Sequence, residues 1–391
     1  MIIGRPENEL LLCCATTFES SERVFRIKKL AQGEIDWSHL IRMARRNGVM
    51  PLLYWNLKTI EFGSVPEGVV KELSDEHRIN IIRNLLFTRR LFQLLDLFQS
   101  NNISVIPYKG PTLSTLAYGD IALRHFADLD FIVHKHDVLK AKRLLLSVGY
   151  RTEYALPPDQ ETTYLEHECE YNFFDDERKI LVELHWDVVQ KYLSCHFDVN
   201  KLWEELKPVS VLDRQVMTVS PEQLLLILCL HHGAKHQWGS LGWICDCAQL
   251  VGVCNNLDWD SVLDQAFRSG IDRILFLGLS LAKDMLGANI PNEIDKRLMN
   301  DRAIPPLAEE VKKQIFRTTD NLPGESERFV LYLRMRERFT DKVQYCFRRL
   351  FTTTQGDWSL LRLPAPLFPL YRFLRPFRLV KKFGRQALGL G

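Results

Sequence analysis

Residues Arg124–His134 read R-H-F-A-D-L-D-F-I-V-H, with Asp128 and Asp130 one apart where the chain passes from polar to apolar, strand-like sequence. In a strand, successive side chains alternate faces. Asp128 and Asp130 therefore point one way, while Leu129 and Phe131 point into a core. Two carboxylates a few ångströms apart repel each other unless a cation or a shared proton neutralises them. Such a pair at the mouth of a buried strand points to a divalent cation with oxygen ligands, magnesium above all.

Working outward, I-S-V-I-P-Y-K-G before the pair is a short apolar strand running into Gly110-Pro111. Pro111 suits the first turn of a helix through Tyr118. After the pair, D-V-L-K-A-K-R-L-L-L-S-V is a helix ended by Gly149. Next, E-C-E-Y-N-F-F and K-I-L-V-E-L-H-W-D-V flank D-D-E-R, a hairpin signature. From about Glu7 to Ser100 the apolar spacing is helical, with Gly48 as a C-cap and a break at Ser64–Gly68 around Pro66. From Ser220 the chain is helical again, opened by the cap Ser220-Pro221-Glu222. The expected class is α+β, a small mixed β-sheet core flanked by N- and C-terminal helical regions. The boundaries read 1–100 for the first helical region, 101–205 for the α/β core, 206–345 for the second helical domain and 346–391 for a basic, aromatic tail.

The chain has 391 residues, enough for a large core and two or three domains. Its formal net charge is +2, which gives no overall attraction to phosphate, so no specific nucleic acid partner is expected. The first residues carry no basic n-region, and no stretch approaches the roughly 18 apolar residues of a membrane span. Nine scattered cysteines show no disulfide-like spacing, which places the chain in a reducing cytoplasm.

A strong cation site needs a third carboxylate. In L-V-E-L-H-W-D, Glu183, His185 and Asp187 share one face of a strand. If that strand lies beside the Asp128–Asp130 strand, Glu183 completes a cluster able to hold two magnesium ions. The plain alternative is that Asp128 caps a strand end and Glu183 faces water. Lys109-Gly110 at a strand-to-helix turn and Arg124 four residues before Asp128 weigh against it. The turn exposes backbone N–H groups and the positive end of a helix dipole, and the two cations add full charges for a triphosphate.

The series K-G-P-T-L-S-T-L-A-Y-G-D, R-H-F-A-D-L-D-F-I-V, L-L-L-S-V-G-Y and V-E-L-H-W resembles an uncharacterised branch of the DNA polymerase β-type nucleotidyltransferase superfamily. That branch occurs among bacterial polysaccharide and natural-product biosynthesis proteins. The likeness extends through I-D-W-S-H-L, G-V-M-P-L-L-Y and L-C-L-H-H-G-A-K-H-Q-W-G-S-L-G-W-I-C-D, over most of residues 35–255. The resemblance implies that Asp128 and Asp130 are metal ligands, that Glu183 is the third carboxylate, and that Gly110 approaches the nucleotide phosphates. Lys109-Gly110-Pro111 stands where the superfamily usually has Gly-Ser, so the serine that contacts phosphate is absent. Gly110 also stands 18 positions before Asp128, farther than in typical members.

In H-H-G-A-K-H-Q-W, His232 and His236 have metal-ligand spacing on a helix, although no glutamate lies between them. Cys245, Cys247 and Cys254 follow, but C-x-C on a helix points its two sulfurs apart, and buried free cysteines serve as small apolar residues. Lys235 and His236, with Asp246 on the next helix, are read as facing the sheet. There they contact nucleotide or acceptor, or form a polar seam between helices and sheet. Beyond Asp357 the tail has no acidic residue and interleaves Arg362, Arg372, Arg375, Arg378, Lys381, Lys382 and Arg385 with Phe, Leu and Tyr. Residues 358–391 are thus expected to make peripheral contact with an anionic inner membrane surface, or to strap the body. The expected function is magnesium-dependent transfer of a nucleoside monophosphate from an NTP to an acceptor hydroxyl or phosphate. A non-catalytic nucleotide-binding or scaffold protein of the same fold competes with it, and a metal-dependent phosphohydrolase is a weaker third.

Overall fold

The computed structural model describes residues 4–153, 156–317, 324–352, 370–371, 373–376 and 378–379. Five helices come first: α1 (Pro6–Cys14), α2 (Ser21–Ala31), α3 (Trp37–Arg46), α4 (Met50–Thr59) and the long α5 (Glu67–Ser100). Gly48 takes a positive φ of 68° just past α3, as its sequence position predicts.

The sheet follows as β1 (Val105–Pro107), β2 (Asp128–Val133), β3 (Arg151–Thr152), β4 (Glu170–Asp175) and β5 (Ile180–His185), in the order β1-β2-β5-β4-β3. Helices α6 (Gly110–Tyr118), α7 (Val138–Ser147) and α8 (Pro158–His167) lie between these strands in sequence. β2 and β5 run parallel, and the other pairs are antiparallel. The expected small mixed sheet between helical regions is therefore present. Alternation along β2 and β5 puts Leu129, Phe131, Val182 and Leu184 on one face, buried with Leu91, Leu94 and Phe98 of α5 and Val138, Ala141 and Leu145 of α7. The opposite face carries Asp128, Asp130, Glu183 and His185.

Residues 206–219, expected to open the second helical domain, instead form a second, two-stranded sheet, β6 (Leu206–Val211) with β7 (Arg214–Val219). Its Thr218 hydroxyl donates to the carbonyl of Pro107 at 2.7 Å, tying the hairpin to β1. The remaining helices are α9 (Pro221–Leu228), α10 (Leu241–Val253), α11 (Trp259–Ser269), α12 (Asp272–Leu286), α13 (Asn292–Asn300), α14 (Ile304–Ile315), α15 (Glu325–Met335) and α16 (Phe339–Phe351). Ser220 caps α9 by accepting the N–H of Gln223. Apolar residues of α1–α4 and of α9–α15 join in one continuous core. No helix among the described residues is long and apolar enough to cross a membrane. The expected membrane contact of 358–391 lies largely outside the described residues. Of those described, Tyr371 is buried with the sheet's apolar cluster, and Arg375 donates to the carbonyl of Arg349 at 2.9 Å.

After α9 the chain changes winding. Cys229–Lys235 is a π-helical turn, and the N–H of His236 reaches the carbonyl of His231, five residues back. This corrects the spacing argument for His232 and His236. With i→i+5 winding, His231 is the residue beside His236, their rings 4.7 Å apart. His232 instead stacks on Trp243 at 5.7 Å. The π turn brings Trp238 into a slot between two glycines. A Cβ on Gly278 would meet Trp238 Cζ2 at 2.4 Å, and one on Gly233 would meet Ile274 Cγ2 at 2.5 Å. Trp238 is fully buried, so neither neighbour has room to yield. Gly278→Ala is expected to destabilise the protein by about 1–3 kcal/mol, the usual scale of overpacking. Urea unfolding of that variant beside Ala282→Gly, a change on the same helix without added volume, measures it.

Candidate active site

β2 and β5 set the site by register. Asp130 pairs with Glu183, and Ile132 with His185, so these side chains emerge side by side on one face. The antiparallel β4 adds Glu170 opposite His185. The acidic face thus holds Asp128, Asp130, Glu183, Glu170 and one histidine.

Asp130 is almost wholly buried, and Lys109 Nζ donates to its Oδ1 at 2.9 Å. His185 Nε2 lies 3.2 Å from the same oxygen and 3.2 Å from Glu183 Oε2. His185 Nδ1 lies 3.3 Å from Glu170 Oε2, off the line of a hydrogen bond. Glu170 in turn receives Lys235 Nζ at 2.8 and 2.7 Å. Asp130 Oδ2 is buried with no hydrogen-bond partner among the described residues.

The electrostatics follow from these contacts. Burial pushes Asp128 up, and the charges of Asp130 and Glu183 push it further, to about 7 against the ordinary 3.8. Burial also opposes ionisation of Asp130, but Lys109 and His185 outweigh it and hold that carboxylate well below its usual range. Burial disfavours a charged His185, yet its bonds to Asp130 and Glu183 and the charge of Glu170 raise it to about 9. Glu170 is desolvated as well, but His185 and Lys235 bring it down to about 2. The face at neutral pH is a lattice of alternating charges with Asp128 poised at its edge.

The structure brings Asp130, Glu183 and His185 together, with one ligand atom from each all within 4.8 Å. Asp128, one pleat away on β2, is not part of that tight set. Cys169 and Glu170 form a second set with the same imidazole, but burial raises the Cys169 thiol far above its usual range and Glu170 is tied to Lys235. Strand alternation in the sequence puts His185 on the face of Glu183 but assigns it no role. Its position two residues on, in the same strand, was the available signal. Glu170 followed only from the hairpin register.

Gly110 opens α6 with a φ of +55°, and a Cβ there would lie 3.3 Å from the carbonyl of Asp128. Both the left-handed backbone and the close approach to β2 require glycine. Lys109 and Arg124 are not free cations. Lys109 is spent on Asp130, and Arg124 is clamped by Asp246, Nε to Oδ1 at 2.7 Å and Nη2 to Oδ2 at 2.9 Å. Asp246 also receives Tyr118 Oη at 2.8 Å and lies 3.2 Å from His232 Nε2. Two buried asparagines of α5 hold the loop that carries Arg124. Asn80 Nδ2 donates to the carbonyl of Ala122 at 3.0 Å, and Asn84 Nδ2 donates to those of Ile121 at 2.6 Å and Arg124 at 2.9 Å. Lys235 and Asp246 therefore stitch the helical region to the sheet and to the loop before β2. His236 lies against Trp243, ring centroids 4.8 Å apart, and burial with the nearby Lys235 pushes it down to about 3.

The sequence profile of an uncharacterised nucleotidyltransferase family matches residues 33–287. The chain belongs to that family. The match spans α3 to α12 and so includes the whole acidic face together with the π turn. Comparison with curated proteins gives no match. Membership of the uncharacterised nucleotidyltransferases carries with it nucleotidyl transfer as the general chemistry and an NTP as substrate.

Proposed function

We propose that this chain is a magnesium-dependent nucleotidyltransferase whose site is Asp128, Asp130 and Glu183. One observation carries the reading: a buried Asp130 with an unpartnered Oδ2 stands directly across a parallel strand pair from Glu183. An oxygen-rich set of this kind suits a hard cation, so the donors present fit magnesium. Asp128, Asp130 and Glu183 would hold one or two ions, which when bound would neutralise charge on the transferring phosphoryl group and the pyrophosphate.

The rest is work for the chain's own residues. Lys109 and His185 keep Asp130 ionised in a buried position and leave its Oδ2 without a partner among the described residues. Gly110 lets the start of α6 approach the phosphates, where the positive helix end favours anions. Glu183 takes the proton of the acceptor hydroxyl. The acceptor oxygen bonds to the α-phosphorus as the α–β bridge breaks and pyrophosphate leaves. Lys235 steadies Glu170 behind His185, and the Arg124–Asp246 clamp steadies the loop entering Asp128.

A second reading, a non-catalytic nucleotide-binding or scaffold protein of the same fold, is favoured by the Lys109–Asp130 pair. That pair neutralises the buried carboxylate without any metal. Thermal melting of the protein with each NTP, with and without magnesium, separates the enzyme from a scaffold that binds no nucleotide, and release of pyrophosphate from the stabilising NTP separates it from a non-catalytic binder. Metal-dependent stabilisation by a triphosphate is expected. A flat response to all four supports the scaffold. Glu183→Gln is expected to lower turnover at least about a hundredfold with a smaller change in KM, because a lost ligand removes several kcal/mol from the transition state. Steady-state kinetics with unchanged kcat in this variant would remove Glu183 from the site.

A further inference from the structure

A cavity of about 740 Å³ lies between α3, the loop before β2, α10 and the ends of α14 and α15. Its floor is buried and its rim is cationic. Five arginines line it, Arg45, Arg46, Arg124, Arg317 and Arg328, against a single carboxylate, Asp246, which Arg124 already occupies. Arg45 is tied to Glu72 and Glu76, and Arg317 lies 3.6 Å from Glu327. Among the described residues, Arg46 donates only to the carbonyls of Ile315 and Arg317, and Arg328 only to that of Lys235. Among the described residues neither has a carboxylate partner. Arg124 adds a buried Nη1 with no hydrogen-bond partner among the described residues. A neighbouring hollow continues the positive field with Arg5 and Arg42.

Guanidinium groups converging on one concavity repel one another unless an anion joins them, and their planar forks match phosphate oxygens. The lining includes none of Lys109, Gly110, Asp128, Asp130 and Glu183, and α6 contributes only its C-terminal Tyr118. The cavity is thus distinct from the acidic face. The two regions still adjoin. Arg124 lines the cavity and stands four residues before Asp128, and His236 follows Lys235, which pairs with Glu170. Trp243 and His236 supply aromatic wall beside the charge.

We propose that this cavity binds the acceptor, a phosphate-bearing small molecule held through its phosphate by Arg46, Arg328 and Arg124, beside the nucleotide. The assignment of the ligand as acceptor rests on the nucleotidyltransferase reading; the anion site itself does not. Isothermal titration of the full chain with inorganic phosphate, in EDTA and at constant ionic strength, tests it. Arg46→Gln and Arg328→Gln, made separately and checked for unchanged melting, are each expected to weaken phosphate binding about tenfold, the loss of roughly 1.4 kcal/mol. Asp128→Asn is expected to leave phosphate binding intact. Stabilisation by NTP and magnesium should show the reverse pattern, lost in Asp128→Asn and kept in the arginine variants. No phosphate binding, or binding indifferent to both arginines, overturns the cavity and leaves the transferase reading standing. Arginine-dependent phosphate binding in a protein that no nucleotide stabilises keeps the anion site and overturns its role as an acceptor site.

Discussion

Asp128→Asn is expected to abolish nucleotidyl transfer and, in metal-free protein at pH 8, to raise the melting temperature by about 1 °C, the scale of roughly 1 kcal/mol for a chain of 391 residues. The two effects share one cause. Asp128 is desolvated and faces the charges of Asp130 and Glu183, so its carboxyl is pushed up to about 7. A carboxyl whose folded value lies above its unfolded value of 3.8 stabilises fully below that unfolded value, and the contribution is lost as pH rises through the folded one. Glu168, raised mainly by burial to about 7, and Asp187, raised likewise to about 6, act in the same direction. The buried histidines, His236 at about 3 and His125 at about 4 among them, pull the other way but alike in both proteins, so it is relative to the asparagine variant that metal-free wild type should lose stability between about pH 4 and 8. Glu170, brought down to about 2, is stabilising only while ionised, and its loss below about pH 4 is common to wild type and variant. A site that is unstable alone and satisfied by a cation is what a bound ion would exploit. Melting curves from pH 4 to 9, with EDTA and then with magnesium and NTP, decide the matter. Parallel curves for wild type and variant would refute the electrostatic account, and normal transfer by Asp128→Asn would refute the site.

Much of this arrangement was written locally and was therefore legible. D-L-D-F-I-V carries its own period of two, so Asp128 and Asp130 had to share a face opposite Leu129 and Phe131. The D-D-E-R turn fixed the hairpin, and Glu183 fell into register with Asp130 once β5 lay beside β2. The unread parts depend on long-range contacts. Lys109 looked like a phosphate ligand from its neighbours in sequence, but a carboxylate 21 positions away claims it. Arg124 finds Asp246 at a separation of 122 residues, which no local spacing encodes. The π turn is not legible in the sequence because its residues fit a helical pattern. Only the packing of Trp238 between Gly233 and Gly278 distinguishes its winding. The β6–β7 hairpin is short, carries Pro208 and turns at Leu212-Asp213 without glycine, so its strand signal is weak.

Asp246→Ala is expected to cost about 3–5 kcal/mol, the largest stability loss of any single change near the site. The substitution leaves the Arg124 guanidinium, about nine-tenths buried, without its counter-ion and strips Tyr118 and His232 of their shared acceptor. Burial alone would disfavour both charges. Arg124 nevertheless holds Asp246 far below the usual carboxylate range, so the clamp is fully ionised across the neutral region. A buried pair of this kind contributes little relative to an apolar replacement of the same size, yet losing one member is severe. The double variant Arg124→Met with Asp246→Leu should therefore recover most of the loss, and a double-mutant cycle by urea unfolding should give a coupling of several kcal/mol. A single-variant cost below about 1 kcal/mol would show that the clamp is not what holds the loop. The recovered double variant then asks a sharper question of function. Its loop is still tied to Asn80 and Asn84 of α5, so Asp128 should keep its place. If transfer nonetheless falls while melting is restored, Arg124 acts on bound anions through its charge; if transfer returns with stability, the arginine serves only to position the strand that carries Asp128 and Asp130.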